Sequence, residues 1–238
     1  MKGGMGMVLS GTRIANLIRS GNLLIGGFAE RITEDGYGHR VLSYGAGFAG
    51  YDIRLGTTFL IPKGPKLSAV RFVDSLKPIF KPIAYGDGET ISQTDDVGDV
   101  GVVLDPKRLY DDPEGCKDWV LLETDNPFVL PDGLFVLGES SETFDMLPDR
   151  VGICFGKSTY ARCGVLVNVT PLEPGWKGRL VIEIANVGHS PVVIYPGEGI
   201  AQVLFLQVDG DVSGAYSGKW QDQKGLGEVY RKAKGVNQ

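Results

Sequence analysis

Between residues 156 and 183 the chain places side chains whose types and spacing can do chemistry. Gly156-Lys157-Ser158-Thr159-Tyr160-Ala161-Arg162 carries two cations and two hydroxyls on one turn. Such a turn can bind phosphate oxygens through charge-assisted hydrogen bonds, and the fork of Arg162 can instead hold a carbonyl or a water in a fixed orientation. Its end mimics a P-loop, but Gly152 and Gly156 are too close together for that motif. A solvated basic turn is the competing explanation. Farther on, Glu183 stands in the run Leu180-Val181-Ile182-Glu183-Ile184-Ala185. Strand side chains alternate, so Leu180, Ile182 and Ile184 share one face and Val181, Glu183 and Ala185 the other. Both faces are otherwise apolar. A carboxylate there is desolvated, its pKa rises, and it suits general acid or base catalysis near neutral pH. The alternative is a solvated rim glutamate paired with a lysine.

Missing residue types narrow the chemistry further. Zinc nucleobase deaminases need a Pro-Cys-x-x-Cys segment and a His or Cys ligand before a Glu. This chain has no Cys-x-x-Cys, and its two histidines are His39 and His189. Neither a structural nor a catalytic zinc is expected. A Ser-His-Asp triad is equally hard to assemble, because His39 falls in a Gly/Tyr-rich loop and His189 in the turn Gly188-His189-Ser190-Pro191. Both read as surface histidines. Any activated water must then be handled by a carboxylate without a metal.

The elements that position these groups read as strands. A short helix opens the chain, capped by Ser10, with Ile14, Leu17 and Ile18 at helical spacing and Gly21 ending it in a left-handed conformation. Apolar or alternating runs follow at Tyr51 to Leu60, closed by Pro62, then Trp119 to Leu122, Phe128 to Leu130, Leu134 to Leu137, Val151 to Phe155, Val165 to Val169, Leu180 to Ile184, Val192 to Tyr195 and Ile200 to Val208. Pro131-Asp132-Gly133, Pro174-Gly175 and Pro196-Gly197 are turn signals between them. Many short strands between such turns describe a barrel or sandwich.

The whole 1–238 chain reads as one domain with an insertion at about 63–117, where Pro78, Pro82 and Pro106 interrupt an acidic stretch. A polar, Gly-rich segment at about 213–238 reads as a lid, since Trp220 is costly to leave exposed in a mobile tail. A length of 238 residues with 42% hydrophobic content supports a large core. A net charge of -5 and a pI of about 5.1 argue against binding nucleic acid by bulk electrostatics. The three cysteines show no paired spacing and suit a reducing cytosol. No run is long enough for a membrane span, so a cytoplasmic protein is expected.

These residues resemble a known family. Gly156 to Gly164, Val167-Asn168-Val169-Thr170-Pro171-Leu172-Glu173-Pro174, Gly175-Trp176-Lys177-Gly178 and Gly199-Ile200-Ala201-Gln202 resemble the dCTP deaminases of the dUTPase-like superfamily. So do Val8-Leu9-Ser10, Tyr51-Asp52-Ile53-Arg54-Leu55 and the closing run Gly218 to Gly225. The resemblance covers both ends and the second half, but not the insertion. It implies a mainly β, distorted dUTPase-like barrel of the β-clip or jelly-roll type with a few short helices, assembled as a homotrimer with sites between subunits.

It also implies zinc-independent conversion of dCTP to dUTP and ammonia. Glu183 would take a proton from water and deliver it to the base, while Ser158 and Arg162 position that water. Lys157 and Thr159, with Lys219 and Gln223, would contact the triphosphate, and Mg2+ would arrive with the nucleotide. The Val181 and Ile182 backbone would read the base edge, Glu173 and Gln202 would border sugar and phosphates, and Tyr216 would contact the nucleotide from the tail, although it lies closer to Lys219 than the family's tyrosine does. dTTP is an expected feedback inhibitor. Two departures stand out. Glu173 replaces the Asp that the bifunctional relatives and the dUTPases use to cleave pyrophosphate, and Trp220 replaces the tail's usual Tyr. The alternatives are a deaminase that also hydrolyses dUTP, a dUTP diphosphatase, or a non-catalytic dNTP-binding regulator.

Overall fold

A computed structural model describes residues 8–22, 24–63, 70–72 and 119–227. Most of the insertion read at 63–117, and the end of the tail, lie outside them. The opening helix α1 (Gly11–Arg19) forms as read: the Ser10 side chain accepts from the Arg13 amide, and Ile14 and Leu17 are buried. Gly21, at φ 74°, follows its end.

Strands β1 (Leu24–Gly26), β2 (Ile32–Glu34), β3 (Arg40–Ala46), β4 (Tyr51–Pro62), β5 (Arg71–Phe72), β6 (Trp119–Glu123), β7 (Phe128–Leu130), β8 (Phe135–Asp145) and β9 (Arg150–Gly156) come next. A one-turn helix α2 (Ser158–Ala161) separates them from β10 (Val165–Asn168), β11 (Lys177–Asn186), β12 (Val192–Ile194) and β13 (Gly199–Gln207). The main antiparallel path runs β10-β11-β8-β4-β13-β9, and a second sheet runs β12-β7-β5.

The main sheet curls until its two ends meet. A Cβ on Gly156 of β9 would stand 3.0 Å from Cβ of Val167 in β10, so a larger residue there would press the two strands apart by a few tenths of an ångström. The expectation of a distorted barrel with few, short helices holds. The core fills from both sides of the curl, with Tyr51, Phe59, Trp119, Phe128 and Phe205 the bulkiest side chains below 2% exposure.

Strands β1, β2, β3 and β5 and the second half of β8 lie outside the runs read as strands in the sequence. The hairpin β2–β3 falls where no strand is expected; its turn is held by Asp35, whose carboxylate accepts from the amides of Tyr37 and His39 at 2.8 Å each. His39 and His189 are both exposed, as read. Strand β8 runs well past Leu137, because its polar residues are buried and satisfied there: Ser140 and Glu142 on the core face, and Glu139 on the opposite face, where it accepts from the Leu226 amide. Glu142, wholly buried, accepts from Arg54 Nε at 2.8 Å, from the Arg54 amide at 3.0 Å and from the Tyr51 hydroxyl at 3.3 Å. Arg54 also donates to the carbonyl of Gly27 at 2.7 Å. The Tyr-Asp-x-Arg-Leu segment is thus the inner tie that fixes β4 to β8.

Candidate active site

Strand β11 carries Glu183 as its alternation requires. Leu180, Ile182 and Ile184 are buried, while Val181, Glu183 and Ala185 are half-buried on the opposite face. That face looks into a cleft of about 520 Å3 bounded by the tail and by the turn after β10. The volume lies within the range of small-molecule sites. All three tryptophans of the chain, Trp119, Trp176 and Trp220, line it, with Phe135, Leu137 and Pro171 extending the apolar wall. Glu183, Glu173, Thr170, Tyr216 and Gln223 supply the polar groups. Burial pushes the Glu183 carboxyl above the usual range, opposed by its own backbone N–H and by Asn168, whose Nδ2 donates to Oε2 at 3.2 Å. The rim-lysine alternative for Glu183 gives way, since the side-chain hydrogen bond is to Asn168.

Main-chain geometry adds a second feature. The β10 ladder ends at the Asn168 and Glu183 pair, and the tail takes over at Arg179, whose amide donates to Gln223 O at 2.8 Å. Among the described residues no strand pairs with this edge between those points. Successive strand residues point their backbone groups to alternate sides, so Val181 presents its amide and carbonyl to the gap. Ile182 has its side chain in the core, and its backbone faces β8 instead.

The tail is folded down. Tyr216 N donates to Pro174 O, Trp176 Nε1 to Trp220 O, and Asp222 N to Lys177 O, at 2.8, 2.8 and 3.0 Å. Gln221 clamps the same turn from both sides: its Oε1 accepts from the Lys177 amide, and its Nε2 donates to Gly175 O, each at 3.1 Å. Gly175 is at φ 77°, where a Cβ would stand 2.5 Å from Cβ of Ala215. Leu226, 1% exposed, closes the end, with its amide donating to Glu139 Oε2 at 2.7 Å. Lys219 lies over the Trp220 ring, 4.9 Å from its centroid.

The cationic turn lies elsewhere. Tyr160 anchors α2 in the core, its hydroxyl accepting from the Tyr195 amide at 3.0 Å, which leaves Ser158, Thr159 and Arg162 exposed. Lys157 donates to Asp52 at 2.6 Å and to Ser43 at 3.2 Å. Gln202 donates to Ala49 O at 3.2 Å in the same region. Of the residues singled out in the sequence, Glu183, Glu173, Val181, Tyr216 and Gln223 share the cleft, whereas Lys157, Ser158, Thr159, Arg162 and Gln202 do not line it. Gly164, just after Arg162, pairs with Val187, and Asn168 pairs with Glu183. Four strand residues therefore separate the two ends, about 13 Å at the usual rise per residue.

A family model described as dCTP deaminase-like matches residues 8–208. The chain belongs to this family. Its curated relatives include the dCTP deaminase of Campylobacter fetus subsp. fetus, 38% identical over 200 residues covering 83% of this chain and 86% of the relative. The dCTP deaminase of Helicobacter pylori strain P12 is 34% identical over 203 residues, covering 84% of this chain and 88% of the relative. Among solved structures, the 2'-deoxycytidine 5'-triphosphate deaminase of Agrobacterium tumefaciens aligns with a TM-score of 0.54 at 16% identity. That alignment covers 86% of this chain but spans about half of the solved one, 49%, and it establishes the shared fold. The dCTP deaminase-like match includes Glu183 and the α2 turn and stops before the tail, so Tyr216, Lys219 and Gln223 lie outside it.

The sequence reading missed Asn168, Trp119 and Gln221 as parts of the site. Asn168 carries the same signal as Glu183, a polar residue in an apolar strand. Among the described residues no helix is long and apolar enough to cross a membrane.

Proposed function

We propose that this chain is a dCTP deaminase, hydrolysing the exocyclic C–N bond of the cytosine ring to give dUTP and ammonia. The observation that carries the reading is Glu183: a half-buried carboxylate of raised pKa, facing an apolar cleft beside an open strand edge, in a chain of the dCTP deaminase-like family. The Val181 amide and carbonyl would pair with the edge of the base. As water adds to C4, Glu183 takes its proton, passes it to N3, and then assists ammonia in leaving; water supplies the oxygen that remains on the uracil.

The separation of α2 from Glu183 within one chain supports a homotrimer in which a neighbouring copy brings Ser158 and Arg162 to the water. Thr159, Lys219 and Gln223 would hold the triphosphate, with Mg2+ entering as part of the substrate on phosphate oxygens and water. Lys157 joins them only by exchanging Asp52 for phosphate, and Gln202 only by turning from Ala49. Competition by dTTP for this grip, and a cytoplasmic location beside the nucleotide pool, belong to the same reading.

Incubating the EDTA-washed protein with dCTP and Mg2+ and resolving the products tests it. Release of dUTP with ammonia is expected. Appearance of dUMP and pyrophosphate would add the diphosphatase activity, and unchanged dCTP would overturn the deaminase reading in favour of a dNTP-binding regulator.

A further inference from the structure

The residue opposite Glu183 is not a bystander of the strand pairing. Asn168 pairs with Glu183 in the β10–β11 register and donates to its Oε2 at 3.2 Å. The side chain is exposed and fills no part of the core, and its strand is otherwise apolar from Val165 to Val169. A carboxamide at such a position is unexplained by packing. The geometry points to Asn168 as a positioning residue for Glu183: it commits one carboxylate oxygen to a fixed donor, so that proton exchange with water and base is directed to the other. This inference rests on the assignment of Glu183 as the catalytic base.

The surroundings make the donor matter. Among the described residues, the groups set against Glu183 or lining the cleft with it are neutral or acidic, namely Cys154 from β9, Glu173 from the turn after β10, and Tyr216 and Gln223 from the tail. Glu139 on β8 is opposite Val181, and Arg179, farther along the same face of β11, donates to the carbonyls of Ser140 and Ser141. The Cys154 thiol is pushed up to about 12 by burial and by the Glu183 charge, so it stays protonated at neutral pH. Lys219 is engaged over the Trp220 ring. A hydrogen bond donated to the ionised form favours that form, so the Asn168 amide counteracts the burial that raises the Glu183 carboxyl.

Two variants of the full chain test this, Asn168→Ala and the near-isosteric Asn168→Asp, with Glu183→Gln as reference. In protein carrying 13C-labelled glutamate, the Glu183 carboxyl resonance is the one lost in Glu183→Gln. Its titration and the pH profile of kcat/KM for dCTP are then followed together. In Asn168→Ala both should move upward by about one pH unit, as expected for loss of one donor to a carboxylate. Asn168→Asp should move them further, because it adds a like charge. A merely structural role would lower the melting temperature and leave both curves in place. An unmoved Glu183 titration in both variants would overturn the inference. Parental turnover by Glu183→Gln would instead remove the base assignment, while a shifted titration would still support the Asn168 contact.

Discussion

At Glu183 two influences oppose each other: burial raises the carboxyl's pKa, and donors from Asn168 and the backbone lower it. The net direction is upward, so the base gains its proton at a higher pH than an ordinary glutamate. We therefore expect the acid limb of kcat/KM to lie above the usual carboxylate range, read from the pH profile with dCTP. Glu183→Gln should lower kcat by about 10²- to 10⁴-fold, the usual share of general acid–base catalysis, with dCTP binding retained by calorimetry. A raised folded-state pKa contributes stability below the unfolded pKa that is lost as pH rises through the folded value. Above its folded-state pKa the ionised Glu183 is accordingly a burden on the fold, and in that range the Gln variant should melt no lower than the parent. Glu183 was legible in the sequence because a charge among Val, Ile and Leu has no packing explanation. Asn168 interrupts its apolar strand in the same way, but a neutral amide raises no electrostatic question, so its role shows only once its partner is known.

The elements were legible wherever one face is apolar, as in β4, β7 and β13, whose bounds fall within a residue or two of the reading. Strand β8 was cut short because its second half, Gly-Glu-Ser-Ser-Glu, has the composition of a loop. Only the return of Arg54 and Tyr51 to Glu142 makes that half a buried strand. Glu142→Ala should therefore cost on the order of 3 kcal/mol, since it strands a partly buried guanidinium, with the loss read from urea denaturation. The tail yields a different expectation. Gln221→Ala removes two hydrogen bonds from the Pro174 to Lys177 turn, each worth about 1 kcal/mol. It should raise the KM for dCTP several-fold and speed amide hydrogen exchange at Lys177, leaving the subunit assembly unchanged by sedimentation. Removal of everything after Ser217 should weaken triphosphate binding more than this single change.

For the whole molecule, a site divided between copies has a test that no single variant offers. Glu183→Gln and Arg162→Ala should each be inactive alone. Unfolded together and refolded as mixed assemblies, they should regain about a quarter of the parental activity, because random assembly pairs an intact Glu183 with a neighbour's intact Arg162 at that frequency. No recovery on mixing would mean that both residues act from one chain. The three tryptophans, finally, reach the cleft from three separate places: β6, the turn before β11 and the tail. Tryptophan emission from this protein, excited selectively over tyrosine, is therefore a signal from the cleft, with no other indole to dilute it. Adding dCTP to the Glu183→Gln variant should change that emission without any attached dye, and Trp220→Phe should remove the part that follows closure of the tail.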